Sequence, residues 1–267
     1  MKIDNLSACN SLIVYRPKLK MTTFKSSFRS VYDNNFSLKY NTNTCFFRSD
    51  LKWGEFVDYL NKKYENTDKV NVIDYACSSG EEPNSLAMIL DFKLGSKANK
   101  FFPIQAFDID EDNIEQAEKG LFGLNKGELE LIENNIGDKY KEYFDLYNDE
   151  QGKPILLSSK ENLKSKITYK QSDIKKDFFR VPSKNTVLFC RNFIPYLKIG
   201  EEMELVKNIA QHLQSSSLVV LGHFEISYGI EKLFEKAGFK HTSLYNVMEK
   251  LPYHKALMQN ALCIVKH

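Results

Sequence analysis

Glu81 and Glu82 follow directly on Gly80 in the run Val72-Ile73-Asp74-Tyr75-Ala76-Cys77-Ser78-Ser79-Gly80-Glu81-Glu82-Pro83. Small residues between an apolar run and a helix-like segment let a ligand lie on the backbone at the helix's N-terminal end. The type of ligand is narrowed by what the turn lacks. A dinucleotide turn carries G-x-G-x-x-G and a phosphate loop carries G-x-x-x-x-G-K-[ST]. Here Gly80 is the turn's only glycine. Two carboxylates beside the ligand would repel phosphates and suit a cationic or hydroxyl-bearing group. The same acids also favour a helix N-terminus with no ligand at all, by about 0.3–1 kcal/mol each.

S-adenosylmethionine meets that description, with a sulfonium, an ammonium, a ribose and no phosphate. A second group of residues fits the same ligand. In Ala106-Phe107-Asp108-Ile109-Asp110, an acid at a strand end is placed to accept from ribose hydroxyls. Asp108 or Asp110 can instead cap the helix that starts near Asp112; Asp110 suits the cap better, which leaves Asp108 for the ligand. A third group is Leu188-Phe189-Cys190-Arg191-Asn192-Phe193-Ile194-Pro195-Tyr196. Ligands of open α/β sheets bind at the carboxyl ends of the strands, so Arg191, Asn192 and Tyr196 are expected at the rim of the site. Read without a ligand, Arg191 makes a salt bridge and Tyr196 fills the space under a loop.

Strands and helices must alternate to put these residues together. Strands are predicted at Val70–Tyr75, Ile104–Asp108, Ile167–Lys170, Thr186–Cys190 and Leu218–Gly222. Helices are predicted over Asn84–Phe92, Asp112–Lys119, Glu201–Leu213 and Tyr228–Ala237. Apolar strands separated by helices predict a mostly parallel sheet covered on both faces. Before them, Phe56, Tyr59 and Leu60 recur at helical spacing within Leu51–Leu60, which predicts an amphipathic helix. The segment up to about Asn43 is polar and reads as an irregular arm. Lys126–Tyr143 reads as helical, and turn residues from Asn148 to Pro154 predict a small hairpin. A hairpin edge can add a partner strand, or be a plain connection. Ala261–Val265 suits a last buried strand. The domains expected are an arm and helix over 1–65 and an α/β domain over 66–267 with an insertion at about 124–165.

The 267 residues are 42% hydrophobic and include 19 Phe and 14 Tyr, enough for a sizeable core. A net charge of +2 gives no field that argues for nucleic acid or an anionic membrane. The five cysteines are scattered without a C-x-x-C pair, so neither a disulfide framework nor a zinc site is implied. No apolar run reaches about 18 residues. A cytoplasmic protein is the expectation.

The order of F-F-R, A-C-S-S-G-E-E-P-x-S-L-A, D-I-D, C-R-N-x-x-x-Y and L-G-H-x-E, from about Thr42 to Glu225, resembles the CheR family. Its members are S-adenosylmethionine-dependent methyltransferases that esterify glutamates of chemotaxis receptors. The resemblance implies a class I methyltransferase-like, Rossmann-like fold and S-adenosylmethionine as cofactor. It implies that Thr44 and Arg48 sit near the cofactor and acceptor, that Ala76, Gly80 and Glu82 contact the cofactor, and that Asp108 takes its ribose. Asp173 and Ile174 would flank the adenine, where the family has Asn-Leu, and Arg191, Asn192 and Tyr196 would line the transfer site. The chain departs from the family in its short N-terminal region, at Asn84 after G-E-E-P, at Ser215–Ser217 and at Phe224.

The resemblance implies methyl transfer to a carboxylate, on a protein glutamate. A glutamate with a pKa of about 4.3 needs no base at neutral pH, and Arg48 and Arg191 are suited to orient it. His223 reads as structural. Two other readings remain compatible: a methyltransferase of the same fold acting on a small molecule or other nucleophile, and a module that binds S-adenosylmethionine without turnover.

Overall fold

The computed structural model describes residues 28–32, 38–124 and 127–251. Two strands, β1 (Phe28–Tyr32) and β2 (Leu38–Asn43), pair antiparallel, with Phe28 opposite Asn43. Within the segment expected to be an irregular or partly ordered arm, these residues form a paired hairpin in which alternate backbone groups find partners. Helix α1 follows (Trp53–Lys63), then β3 (Asn71–Tyr75), α2 (Glu81–Leu94), β4 (Ile104–Asp108) and α3 (Glu111–Lys119). A side unit comes next, with β5 (Leu121–Gly123), α4 (Glu128–Ile136), α5 (Tyr140–Tyr143), β6 (Phe144–Asn148) and β7 (Pro154–Ser159). The chain continues through α6 (Glu161–Lys164), β8 (Ile167–Gln171), α7 (Ile174–Asp177), β9 (Thr186–Cys190) and α8 (Glu201–His212). It closes with β10 (Leu218–Leu221), α9 (His223–Ser227), α10 (Ile230–Lys236), β11 (Phe239–His241) and β12 (Val247–Lys250).

The main sheet runs β11-β12-β10-β9-β3-β4-β8. Strands β8, β4, β3, β9 and β10 are parallel, and β12 is antiparallel to both β10 and β11. From β3 the chain passes to β4 on one side and later returns to β9 on the other. That change of direction opens a crevice at the strands' carboxyl ends. Strands β9 and β10 are buried at every residue, as expected of central parallel strands with helices on both faces. Val72, Val187 and Phe189 pack on one face with α1 and α2, and Ile73, Leu188 and Val219 on the other with α8 and α10. Phe56 of α1 meets Phe189 edge-on at 5.6 Å. Helix α1 therefore shares its core with α2 and β3.

Glycine breaks one segment expected to be helical throughout: Gly137 at φ 57° separates α4 from α5. Gly229 at φ 74° is the N-cap of α10, so the helix expected from Tyr228 starts at Ile230, and α9 before it was not expected. The hairpin forms as expected: the Asp149 side chain accepts from the Gln151 and Lys153 amides at 3.0 and 2.8 Å. It is one part of a three-stranded sheet, order β5-β7-β6, whose short β5 the sequence reading missed. Phe46, just before α1, packs edge-on against Phe122 and Phe144 of this sheet at 5.0 and 5.6 Å. The strand expected at 261–265 lies outside the described residues. Among the described residues no helix is long and apolar enough to cross a membrane.

Candidate active site

The turn between β3 and α2 sits at the crevice and is built under strain. Ala76 and Ser78 hold φ of 61° and 52°, and Gly80 holds φ 98° as the N-cap of α2. The left-handed region costs a side-chain-bearing residue about 1–2 kcal/mol. Phe47 and Asn192, on neighbouring loops, are also left-handed, at φ 46° and 62°. Such strain gathers where surrounding contacts over-determine a functional backbone. A Cβ on Gly80 would stand 2.9 Å from the Tyr169 hydroxyl and 3.1 Å from the Ala117 Cβ, so only glycine fits. Ala76 is exposed at the mouth.

Asp108 fastens this turn to the end of β4. Its carboxylate accepts from the Ser78 amide at 2.8 Å, the Asp110 amide at 2.9 Å and the Asn113 side chain at 3.3 Å. Burial pushes its pKa up against the lowering effect of these bonds. Asp110 caps α3 by accepting from the Asp112 amide at 3.2 Å, as the sequence suggested. The Asp108 backbone carbonyl accepts from the Ser172 amide at 2.9 Å, which brings the β8 end alongside. There Asp173 caps α7 through the Lys175 amide at 3.0 Å, and Ile174 is buried.

Arg191 does not stand at a solvent rim. Its side chain has no exposed surface and bridges Glu82 of α2 and Asp50 of the loop before α1. Its guanidinium also lies 5.5 Å from the centre of the Trp53 ring. Burial disfavours the charge, but Glu82, Asp50 and Asp74 outweigh it and raise the pKa. Asp50 in turn accepts from the His223 amide at 2.9 Å, and its carbonyl accepts from Asn246 at 2.7 Å. One acid thus joins the loops after β9, β10 and β11. Half-buried Arg48 lies beside Glu81, Glu82 and Cys45, and Thr44 is buried nearby in the chain.

The loop after β9 hangs on a residue absent from the expected set. Glu225, fully buried, accepts from the amides of Asn192, Phe193, Ile194 and Gly222 at 2.6, 2.8, 3.1 and 3.0 Å. The acid of L-G-H-x-E was the available signal. Gly222 is required there, because its Cβ would lie 2.6 Å from the Asn192 Cγ. Asn192 accepts from the Phe224 amide at 3.2 Å. Tyr196 is 63% exposed and meets Phe224 edge-on at 6.2 Å. It alone of the three residues expected at the rim presents an open side chain. The His223 ring meets the Ser227 hydroxyl at 3.2 Å.

A crevice at a strand-order reversal beside an acidic glycine turn fits an S-adenosylmethionine-dependent methyltransferase of the class I fold. The chain belongs to the CheR family: the family model described as CheR methyltransferase, SAM binding domain, matches residues 42–242. It is 26% identical over 204 residues to a chemotaxis protein methyltransferase of Borreliella burgdorferi, covering 73% of this chain and 68% of that protein. The chemotaxis protein methyltransferase of Escherichia coli is 24% identical over 195 residues, covering 73% of this chain and 64% of that protein. The matched region is thus about two thirds of the relatives' length. A solved TehB-like SAM-dependent methyltransferase of Corynebacterium glutamicum overlaps 78% of this chain and 86% of its own at a TM-score of 0.39 and 9% identity.

Proposed function

We propose that this protein transfers the methyl group of S-adenosylmethionine to a carboxylate, and that the acceptor is a glutamate side chain of a protein. The observation that carries this reading is the convergence of Arg48 and Arg191 on Glu82 at the mouth of an acidic turn. The residues suit the cofactor: carboxylates suit cationic and hydroxyl groups, and Ala76 of the turn is exposed to meet it. The relatives' description as chemotaxis protein methyltransferases supports a protein acceptor. A cytoplasmic location accords with such a role.

S-adenosylmethionine, when bound, supplies an electrophilic methyl on a sulfonium leaving group. The chain's task is to place an acceptor oxygen in line with it, and positioning of this kind contributes up to about 7–11 kcal/mol in the best aligned cases. Asp108 has three of a carboxylate's roughly four acceptor positions occupied, which leaves one for a ribose hydroxyl. Thr44, Ala76, Gly80 and Glu82 would frame the methionine end, and Asp173, Ile174 and Asn192 the remainder of the cofactor. Arg191, already held by two acids, would fix Glu82 rather than reach the acceptor. Arg48 is then the arginine that orients the acceptor carboxylate, with Tyr196 at the open rim. An ionised acceptor needs no base.

The test is transfer of labelled methyl to candidate proteins, followed by mild base. Methanol release identifies an ester; a base-stable label points to a nitrogen or ether acceptor and overturns the carboxylate reading. Arg48→Ala is expected to lower transfer at least tenfold while cofactor binding, followed by calorimetry, persists.

A further inference from the structure

Strand β3 carries one acid inside its apolar run. Asp74 is 1% exposed and lies level with Ala106 of β4 and Phe189 of β9. Among the described residues, no donor reaches either of its carboxyl oxygens. The acid beside it is Glu82, whose carboxylate Arg191 also holds. Two carboxyl groups that meet away from water, with no donor between them, hold together only if one keeps a proton. Burial first, then the Glu82 charge, drives Asp74 well above the usual carboxylate range.

The groups facing this pair come from every element around it. Cys77 belongs to the turn, Asp108 to β4 and Tyr169 to β8. Cys190 ends β9 and Arg191 follows it, while Arg48 and Asp50 precede α1 and Glu225 lies on α9. Only the two arginines are cationic. Any further positive charge seated at Glu82 therefore favours the doubly ionised pair.

We propose that Asp74 and Glu82 share a single proton, and that binding of the cationic cofactor at Glu82 releases it to solvent. Asp74 is in this sense a positioning residue that makes cofactor affinity depend on pH. The inference rests on the reading of Glu82 as part of the cofactor site. A carboxyl O–H is broken, the proton passes to buffer, and no other bond changes. Release favours binding as pH rises, so affinity increases through the range in which the free pair would still hold its proton. The sulfonium adds a positive charge that S-adenosylhomocysteine lacks, so the methyl donor releases more of the proton than the product does.

The experiment is calorimetric titration of the full chain with S-adenosylmethionine and with S-adenosylhomocysteine. It is run in buffers of different ionisation enthalpy from about pH 6 to about pH 9, the upper reach of buried carboxyls. The wild type is expected to release up to one proton per cofactor, more for S-adenosylmethionine, with affinity rising by up to tenfold per pH unit at the steepest point. Asp74→Asn keeps a side chain that can donate to Glu82; it should bind with less proton release and a flatter profile. The ligand's own amino group, near pKa 7.7–8.0, titrates alike in both proteins, so the difference between them isolates Asp74. Equal proton counts in the two proteins overturn the linkage. So does a wild type that binds both ligands without release, an outcome that needs no variant. If the wild type binds neither ligand, the cofactor-site reading itself fails, and the linkage with it.

Discussion

Glu225 shows how much one side chain organises. Four backbone amides converge on its carboxylate, among them those of Asn192 and Phe193 in the loop after β9 that carries the proposed transfer-site residues. Hydrogen bonds to a charged group contribute about 1.5–3 kcal/mol each, and a buried amide left without a partner costs about 1–3 kcal/mol. Glu225→Ala is therefore expected to destabilise the protein by at least about 3 kcal/mol, read from urea denaturation. Glu225→Gln should lose less, since one acceptor oxygen remains. A change under about 0.5 kcal/mol in the alanine variant would mean that water takes over the cradle. The left-handed Asn192 (φ 62°) would then need another support.

At the scale of elements, the turn between β3 and α2 depends on a strand two places away in the sheet. Tyr169 of β8 places its hydroxyl over Gly80, and Asn84 of α2 ties the two by donating to the Gly80 carbonyl at 2.7 Å and to the Tyr169 oxygen at 2.8 Å. Where the family pattern has Tyr after G-E-E-P, this chain has Asn, and here it supports a tyrosine arriving from β8. Gly80→Ala adds a methyl into this contact at a positive φ, and is expected to weaken cofactor binding at least tenfold by calorimetry. The same change in a Tyr169→Phe background should cost less, because the nearest atom is gone. An equal loss in both backgrounds would assign the whole effect to the backbone conformation.

For the molecule as a whole, the buried acids set the pH dependence of stability. Burial raises Asp74, Glu81, Glu82, Asp108 and Glu225, and Glu81 is carried from 4.5 to about 7. A raised acid means that the folded chain binds more protons than the unfolded one, so its contribution is fully present below the ordinary carboxylate range and is lost as pH rises through the folded value. Glu81 supplies about 3 kcal/mol of that dependence, at 1.36 kcal/mol per pKa unit. Stability should fall between about pH 5 and pH 8, and Glu81→Gln should flatten the fall by an amount of that order. Denaturation curves at both pH values check it; parallel curves for the two proteins would mean that Glu81 stays ionised throughout.

The sequence by itself determined the alternation of elements and the strands Ile104–Asp108 and Thr186–Cys190 to the residue. Long apolar runs and the spacing of helices are local properties, written wherever the chain enters or leaves the core. The acidic glycine turn and Asp110's cap were legible for the same reason: a side chain bonding two residues ahead needs no distant partner. Strands of three or four residues, β5, β11 and β12, carry too little pattern to read, and Gly137 ends a helix through backbone conformation that a periodicity count passes over. Only the tertiary structure decided what each charged residue does. Arg191 was legible as a strand-end arginine, but its burial between Glu82 and Asp50 depends on residues 109 and 141 positions away. Asp50 and Glu225 take their parts from partners far along the chain. Pairing across such distances is fixed by the order of strands in the sheet, because that order selects which carboxylates and guanidinium groups are sealed together away from water.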